Sequence, residues 1–177
     1  MRRKRMTKEK IVAVYDSEHD AMEALKALQE AKISKDDISV IGKGDHDEPK
    51  VEFEIERENE DIVRWGKEGV FWGAVLGSMT GAFFFWVPGF GPLVAAGSVI
   101  SSLAGALGGA ATIGSVAALT AWFVDIGIEE AEAHRYTDLM KEGKVLLIVK
   151  SGEKSAETAK EVLEKLGKGE VKLYAAK

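Results

Sequence analysis

Cysteine is absent from the 177-residue chain, which excludes disulfides, thiolate-bound metals and thiol nucleophiles. Asparagine and glutamine occur once each, as Asn59 and Gln29, against 24 basic and 29 acidic residues. Few thermolabile amides among many ion-pairing groups is a thermophile-like composition. A basic excess is also missing. The formal net charge of −5 argues against a nucleic-acid binder, which normally carries the opposite sign. Catalytic signatures are missing too. No serine sits in a nucleophile elbow, GKGDHDEP (42–49) lacks the GK[ST] ending of a phosphate loop, and Gly105, Gly108 and Gly109 have no acidic partner for a dinucleotide. The composition therefore points to a protein that is not an enzyme and needs no cofactor or metal, with a small-molecule ligand unexpected.

The most informative absence is local. From Gly69 to Val124, 56 residues pass without one Asp, Glu, Lys, Arg or His. Every charge lies in the remaining sequence. The start, MRRKRM, is basic, but no apolar core follows it, so it does not read as a secretory signal. It reads as a basic tail or as a contact for anionic lipid or an acidic partner.

The polar parts repeat one plan. KIVAVY (10–15) is a β-branched strand, Ser17 caps a helix running to about Ala31, and DISVI (37–41) is a second strand. Near the C-terminus, KVLLIV (144–149) is a strand, Ser155 begins a helix carrying Ala159, Val162, Leu163 and Leu166, and EVKLYA (170–175) is a strand. Placing Lys10 on Lys144 sets Ile11 on Val145, Val14 on Ile148 and Ser17 on Ser151. Two βαβ units of this kind make a ferredoxin-like α+β sandwich, with helices on one face of an antiparallel sheet. Between them, KVEFEIERENED (50–61) alternates apolar and charged residues as an extra edge strand. IEEAEAHRYTDLMKEG (128–143) is a charged closing helix that stops at Gly143.

The charge-free block reads as a helical hairpin. Gly69, Gly73, Gly77 and Gly81 recur every fourth residue, and so do Gly97, Ser101, Gly105 and Gly109. Such small faces let helix backbones approach closely, as a glycine zipper does. The first segment, 69–87, spans about 28 Å as a helix, close to the thickness of a hydrocarbon core of about 30 Å. Pro88-Gly-Phe-Gly-Pro92 is the turn. If both βαβ units share one sheet, the two ends of the block emerge on one side, as a hairpin requires. Trp72, Phe83, Phe84, Phe85, Trp86, Phe90 and Trp122 are more large rings than one hairpin hides. A contiguous apolar surface of that extent marks contact with membrane lipid or with another copy of the chain.

The expected layout is a basic tail (1–9), the first βαβ half with its extra strand (10–61), the apolar hairpin (62–127) and the closing helix with the second half (128–177). Asp45-His46-Asp47-Glu48 has donors suited to a hard cation, although a solvated turn is the simpler reading.

IVAVYDSEHDAMEALKALQEAKISKDDISVIGK resembles the N-terminal βαβ segment of the bacterial general-stress, heat-induced YflT-like proteins. WGAVLGSMTGAFFFWVPGFGPLVAAG, followed by GIEEAEAHRYTDLMKEGKVLLIV, resembles the glycine-rich core and closing helix–strand of related stress proteins. The resemblance spans roughly residues 10–43 and 65–150. It implies a small, non-enzymatic stress protein associated with a membrane, and offers no catalytic residue to carry over. The basic start and the acidic 44–61 insertion depart from the pattern. The combined expectation is a stress-linked protein at the cytoplasmic face of a membrane that self-associates through its zipper. The rival is a soluble cytoplasmic assembly, a ring, shell or filament, with the hairpins buried between subunits.

Overall fold

The computed structural model describes residues 8–43, 82–87, 90–99, 102–103 and 116–175. In chain order these form β1 (Lys8–Tyr15), α1 (Glu18–Glu30), a 3-10 turn (Lys35–Asp37), β2 (Ile38–Lys43), β3 (Ala82–Val87) and β4 (Gly91–Gly97). Then follow α2 (Val116–Asp125), α3 (Glu130–Lys141), β5 (Val145–Gly152), α4 (Glu153–Leu166) and β6 (Gly169–Tyr174).

Local chemistry sets the two βαβ units much as the sequence predicts. Ser17 is the N-cap of α1. Its Oγ accepts the Asp20 backbone N–H at 3.1 Å, and its hydroxyl donates to Asp20 Oδ2 at 2.7 Å, satisfying one of the helix's orphan donors. The second helix starts earlier than expected. Gly152 occupies the N-cap of α4 without a side-chain bond, and Ser155 lies inside the first turn.

Six strands form one antiparallel sheet in the order β3-β4-β2-β5-β1-β6. The two units interlock there. β5 of the second lies between β1 and β2 of the first, and β1 lies between β5 and β6 of the second. The fold is α+β, with helices on both faces of the sheet. That corrects the expectation of helices on one face only. Ile11, Ala13 and Tyr15 of β1 pack with α1 and α4, whereas Val12 and Val14 pack with α2 and α3. Ile11 through Tyr15 and Val145 through Val149 are all buried. Such unbroken apolar runs are what a strand covered on both faces requires.

The helical hairpin is the larger correction. Where described, residues 82–97 form a β-hairpin, with Ala82 opposite Ala96 and Val87 opposite Gly91. The turn itself falls where expected, closed by the Phe90 N–H donating to the Val87 carbonyl at 2.9 Å. β2 offers a free edge, and β4 fills it from Ser39↔Gly97 to Lys43↔Leu93. Backbone pairing on that edge satisfies groups that an isolated helix pair leaves the sheet without. Of the charge-free block, α2 and the two residues 102–103 alone are helical among the described residues. The proposed edge strand at 50–61 lies outside them.

Candidate functional site

Of the residues expected to pack helix on helix, Gly69, Gly73, Gly77, Gly81, Ser101, Gly105 and Gly109 lie outside the described residues, as does Trp72. Gly97 is described, and it serves a strand rather than a helix. It ends β4 at φ +114°, and a Cβ there would come within 2.2 Å of the Ile38 carbonyl oxygen. Only glycine tolerates both that dihedral and that approach. Beyond it, the Val99 N–H donates to Ser39 Oγ at 3.2 Å and turns the chain back over the sheet.

The rings expected to meet lipid or another subunit divide. Phe83, Phe84, Phe85 and Trp86 are consecutive residues of β3. Phe90 and Trp122 are buried, at 4% and 1% exposure. This corrects their assignment to an external surface, because the sheet's second face needs a cover and the block supplies it. Trp122 Nε1–H donates to Ser102 Oγ at 3.0 Å, and that hydroxyl donates to the Val99 carbonyl at 2.6 Å. From Trp122 a series of rings crosses the layer. Phe123 is 4.9 Å away, Tyr136 is 6.0 Å beyond it, and Tyr174 is 6.5 Å further, at 78° to Tyr136. Edge-to-face pairs of this kind add to simple burial.

At the end of the sheet where β1 stops and β6 starts, Val14, Asp16, Arg135, Lys144, Lys168 and Glu170 are among the residues that line a cleft of about 320 Å³. Its cations are internally neutralised. Arg135 holds Glu170 through two parallel bonds, one at 2.8 Å, and reaches Glu132 at 3.2 Å. Lys144 lies 2.7 Å from Asp16, and Lys168 reaches Asp20 at 3.3 Å and Glu23. Hydrogen bonding to Arg135 holds the Glu170 carboxyl below the usual range, and the bond to Asp16 raises Lys144. These pairs tie α3 to β6, the end of β1 to the start of β5, and the turn after α4 to α1, so each of the cleft's described cations already has a carboxylate.

The buried hydroxyls do not form an acid–base set either. Tyr136 and Tyr174 meet at 2.7 Å, and burial pushes both phenols above their ordinary value, so each stays protonated at neutral pH. Among the described residues, no three of His, Asp or Glu gather as a metal site. His46 and its acidic neighbours lie outside them. Among the described residues, no helix is long and apolar enough to cross a membrane.

The ring series and the ion-paired cleft escaped sequence reasoning. The available signal was the apolar run VLLIV, which has no alternation and so announced a second covered face.

Residues 10–86 match the family model of the heat-induced stress protein YflT domain, as the quoted N-terminal segment led us to expect. No curated protein and no solved structure matches the chain.

Proposed function

With a heat-induced stress protein YflT domain over residues 10–86 as premise, we propose that this chain is a non-catalytic stress protein whose charge-free block attaches it to a membrane and to copies of itself. One observation carries the reading. β3, the sequence AFFFWV, is the outermost strand of the sheet and pairs only with β4 among the described residues. An apolar edge strand is a template for association unless something covers it, and a charge-free stretch from Gly69 leads directly into it. The interlocked order β2-β5-β1-β6 supports reading the four strands of the two units as a ferredoxin-like sandwich. That sandwich is the polar head, and the block is joined to it through β3, β4 and α2. Gly69, Gly73, Gly77 and Gly81 are assigned to close backbone packing within the assembly.

Fractionation of cells expressing the full chain tests the proposal. Retention in the membrane pellet after an alkaline wash, with release by detergent, supports attachment. A soluble species of high mass supports the second reading, a cytoplasmic assembly joined through β3 edges. A soluble monomer overturns both. Gly73→Leu with Gly77→Leu is expected to reduce the mass of the detergent-solubilised oligomer.

A further inference from the structure

Among the described residues the sheet has two open edges of opposite character. β3 is wholly apolar, whereas β6, GEVKLY, carries Glu170 and Lys172 and pairs only with β1 among the described residues. Glu170, Lys172 and Tyr174 face the α3 side, where Glu170 meets Arg135, Lys172 meets Glu132 and Tyr174 enters the second core. Val171 faces the other side and packs against the core under α4. Strand alternation places Leu173 on that side as well. Leu173 and Val124 are the exposed large apolar side chains among the described residues.

Charges on an edge strand ordinarily keep it from pairing with another chain. Two charges of opposite sign, two residues apart, do not keep it from pairing with a copy of itself run antiparallel. Directly opposed residues share a face of the sheet and interact as pairs, so a two-fold axis through the extended sheet must pass at a residue. At Val171 the axis sets Glu170 opposite Lys172 of the second copy, and Lys172 opposite Glu170. It also sets Val171 against its own copy and Leu173 against Gly169, which has no side chain to obstruct it. Moved to Glu170 or to Lys172, the axis brings like charges face to face, which destabilises a pair. Moved further, it shortens the overlap and loses the charge match. Glu170 and Lys172 keep 50% and 43% of their side chains exposed beside their own partners, so each has room for a second one. Glu132 and Lys172 of one copy then continue into Glu170 and Arg135 of the other as a row of alternating charge.

We propose that two copies of the chain pair antiparallel along β6, about a two-fold axis at Val171, and extend the six-stranded sheet across a dimer. The charge order of the strand selects the partner, because it complements its own reverse. This contact lies at the opposite edge from β3 and stands whether or not the charge-free block meets a membrane.

The chain has no cysteine, so one introduced thiol reports the register. In the dimer the two copies of residue 171 have Cα atoms about 4.5–5.5 Å apart, within disulfide range, whereas those of residue 173 are about 14 Å apart. Mild oxidation of the full chain, followed by denaturing electrophoresis without reductant, is expected to give a covalent dimer for Val171→Cys and little for Leu173→Cys. In the Val171→Cys background, Glu170→Lys alone and Lys172→Glu alone set like charges opposite each other. Each is expected to raise the dissociation constant about tenfold. Mixing those two chains restores opposite charges at every pair, because one copy then carries lysine at both positions and the other carries glutamate. The mixture is therefore expected to cross-link as the parent does, which chains that merely misfold would not do. Absence of a Val171→Cys dimer overturns the proposal and leaves the edge unpaired or taken by another part of the chain, such as residues 50–61. Equal cross-linking at 171 and 173 overturns it, as does a mixture that fails to recover. The gel scores this contact alone, so its outcome is separate from the fractionation that tests β3 and the block.

Discussion

The hydroxyls of Tyr136 on α3 and Tyr174 on β6 meet 2.7 Å apart inside the second core. Tyr174 is the last residue of the sheet's edge strand, so this bond fastens the edge to the helix that covers it. Arg135–Glu170 and Lys172–Glu132, the latter at 3.1 Å, bridge the same two elements from outside.

Replacing either tyrosine with phenylalanine leaves the other hydroxyl without that partner. Each single variant is expected to lose about 1–2 kcal/mol, and the double variant less than the sum. Urea unfolding of the four members of the cycle measures the coupling. A coupling of zero would show that the two hydroxyls do not depend on each other.

Gly97→Ala brings a Cβ within 2.2 Å of the Ile38 carbonyl at a left-handed dihedral. Backbone strain alone costs about 1–3 kcal/mol, and the clash adds to it by forcing β4 off β2. The expected outcome is a lower thermal midpoint and lost amide protection along β2. If the alanine variant matched the wild type, the glycine would be serving some purpose other than close strand approach.

Tyr15 is fully buried, and its hydroxyl has no hydrogen-bond partner among the described residues. An unsatisfied buried polar group costs about 1–3 kcal/mol. Tyr15→Phe is therefore expected to be neutral or stabilising, by up to about 1 kcal/mol. A large loss of stability in the denaturant midpoint would mean that the hydroxyl is satisfied in solution.

Burial holds Tyr15, Tyr136 and Tyr174 above the ordinary tyrosine value of 10.0. In the unfolded chain they ionise near that value, whereas the folded chain keeps their protons. The unfolded state then binds fewer protons, so their contribution is complete below about pH 10 and is lost as pH rises through the folded values. The expected slope is about 1.4 kcal/mol per pH unit for each tyrosine. Thermal melts across the alkaline range check it. Tyr15→Phe is expected to flatten the curve, and an unchanged midpoint throughout would contradict the assignment.

Much of the polar half was legible because its elements carry their own punctuation. Ser17 caps the first helix where its hydroxyl and Asp20 sit in sequence, and the observed helix, Glu18–Glu30, follows from that local chemistry. Alternation of charge and apolarity marks α3 on both sides, and the turn around Phe90 announces itself through proline and glycine. The two split βαβ units needed nothing beyond such signals.

The charge-free block carried no such information. In AFFFWV every residue is apolar, so neither a period of two nor one of 3.6 stands out, and the four-residue glycine spacing suggested a helix. The choice was made by tertiary structure. β2 has an edge that must be paired and the sheet has a second face that must be covered, and Ala82–Gly97 with α2 supply both. Gly97 shows the limit most directly. Its spacing belongs to a zipper pattern, while its φ and its contact with Ile38 belong to a strand end. The sequence alone determined local capping, turns and the division between charged and uncharged chain. Which backbone groups the uncharged chain pairs with depends on partners far away in sequence, and so only the tertiary structure decided it.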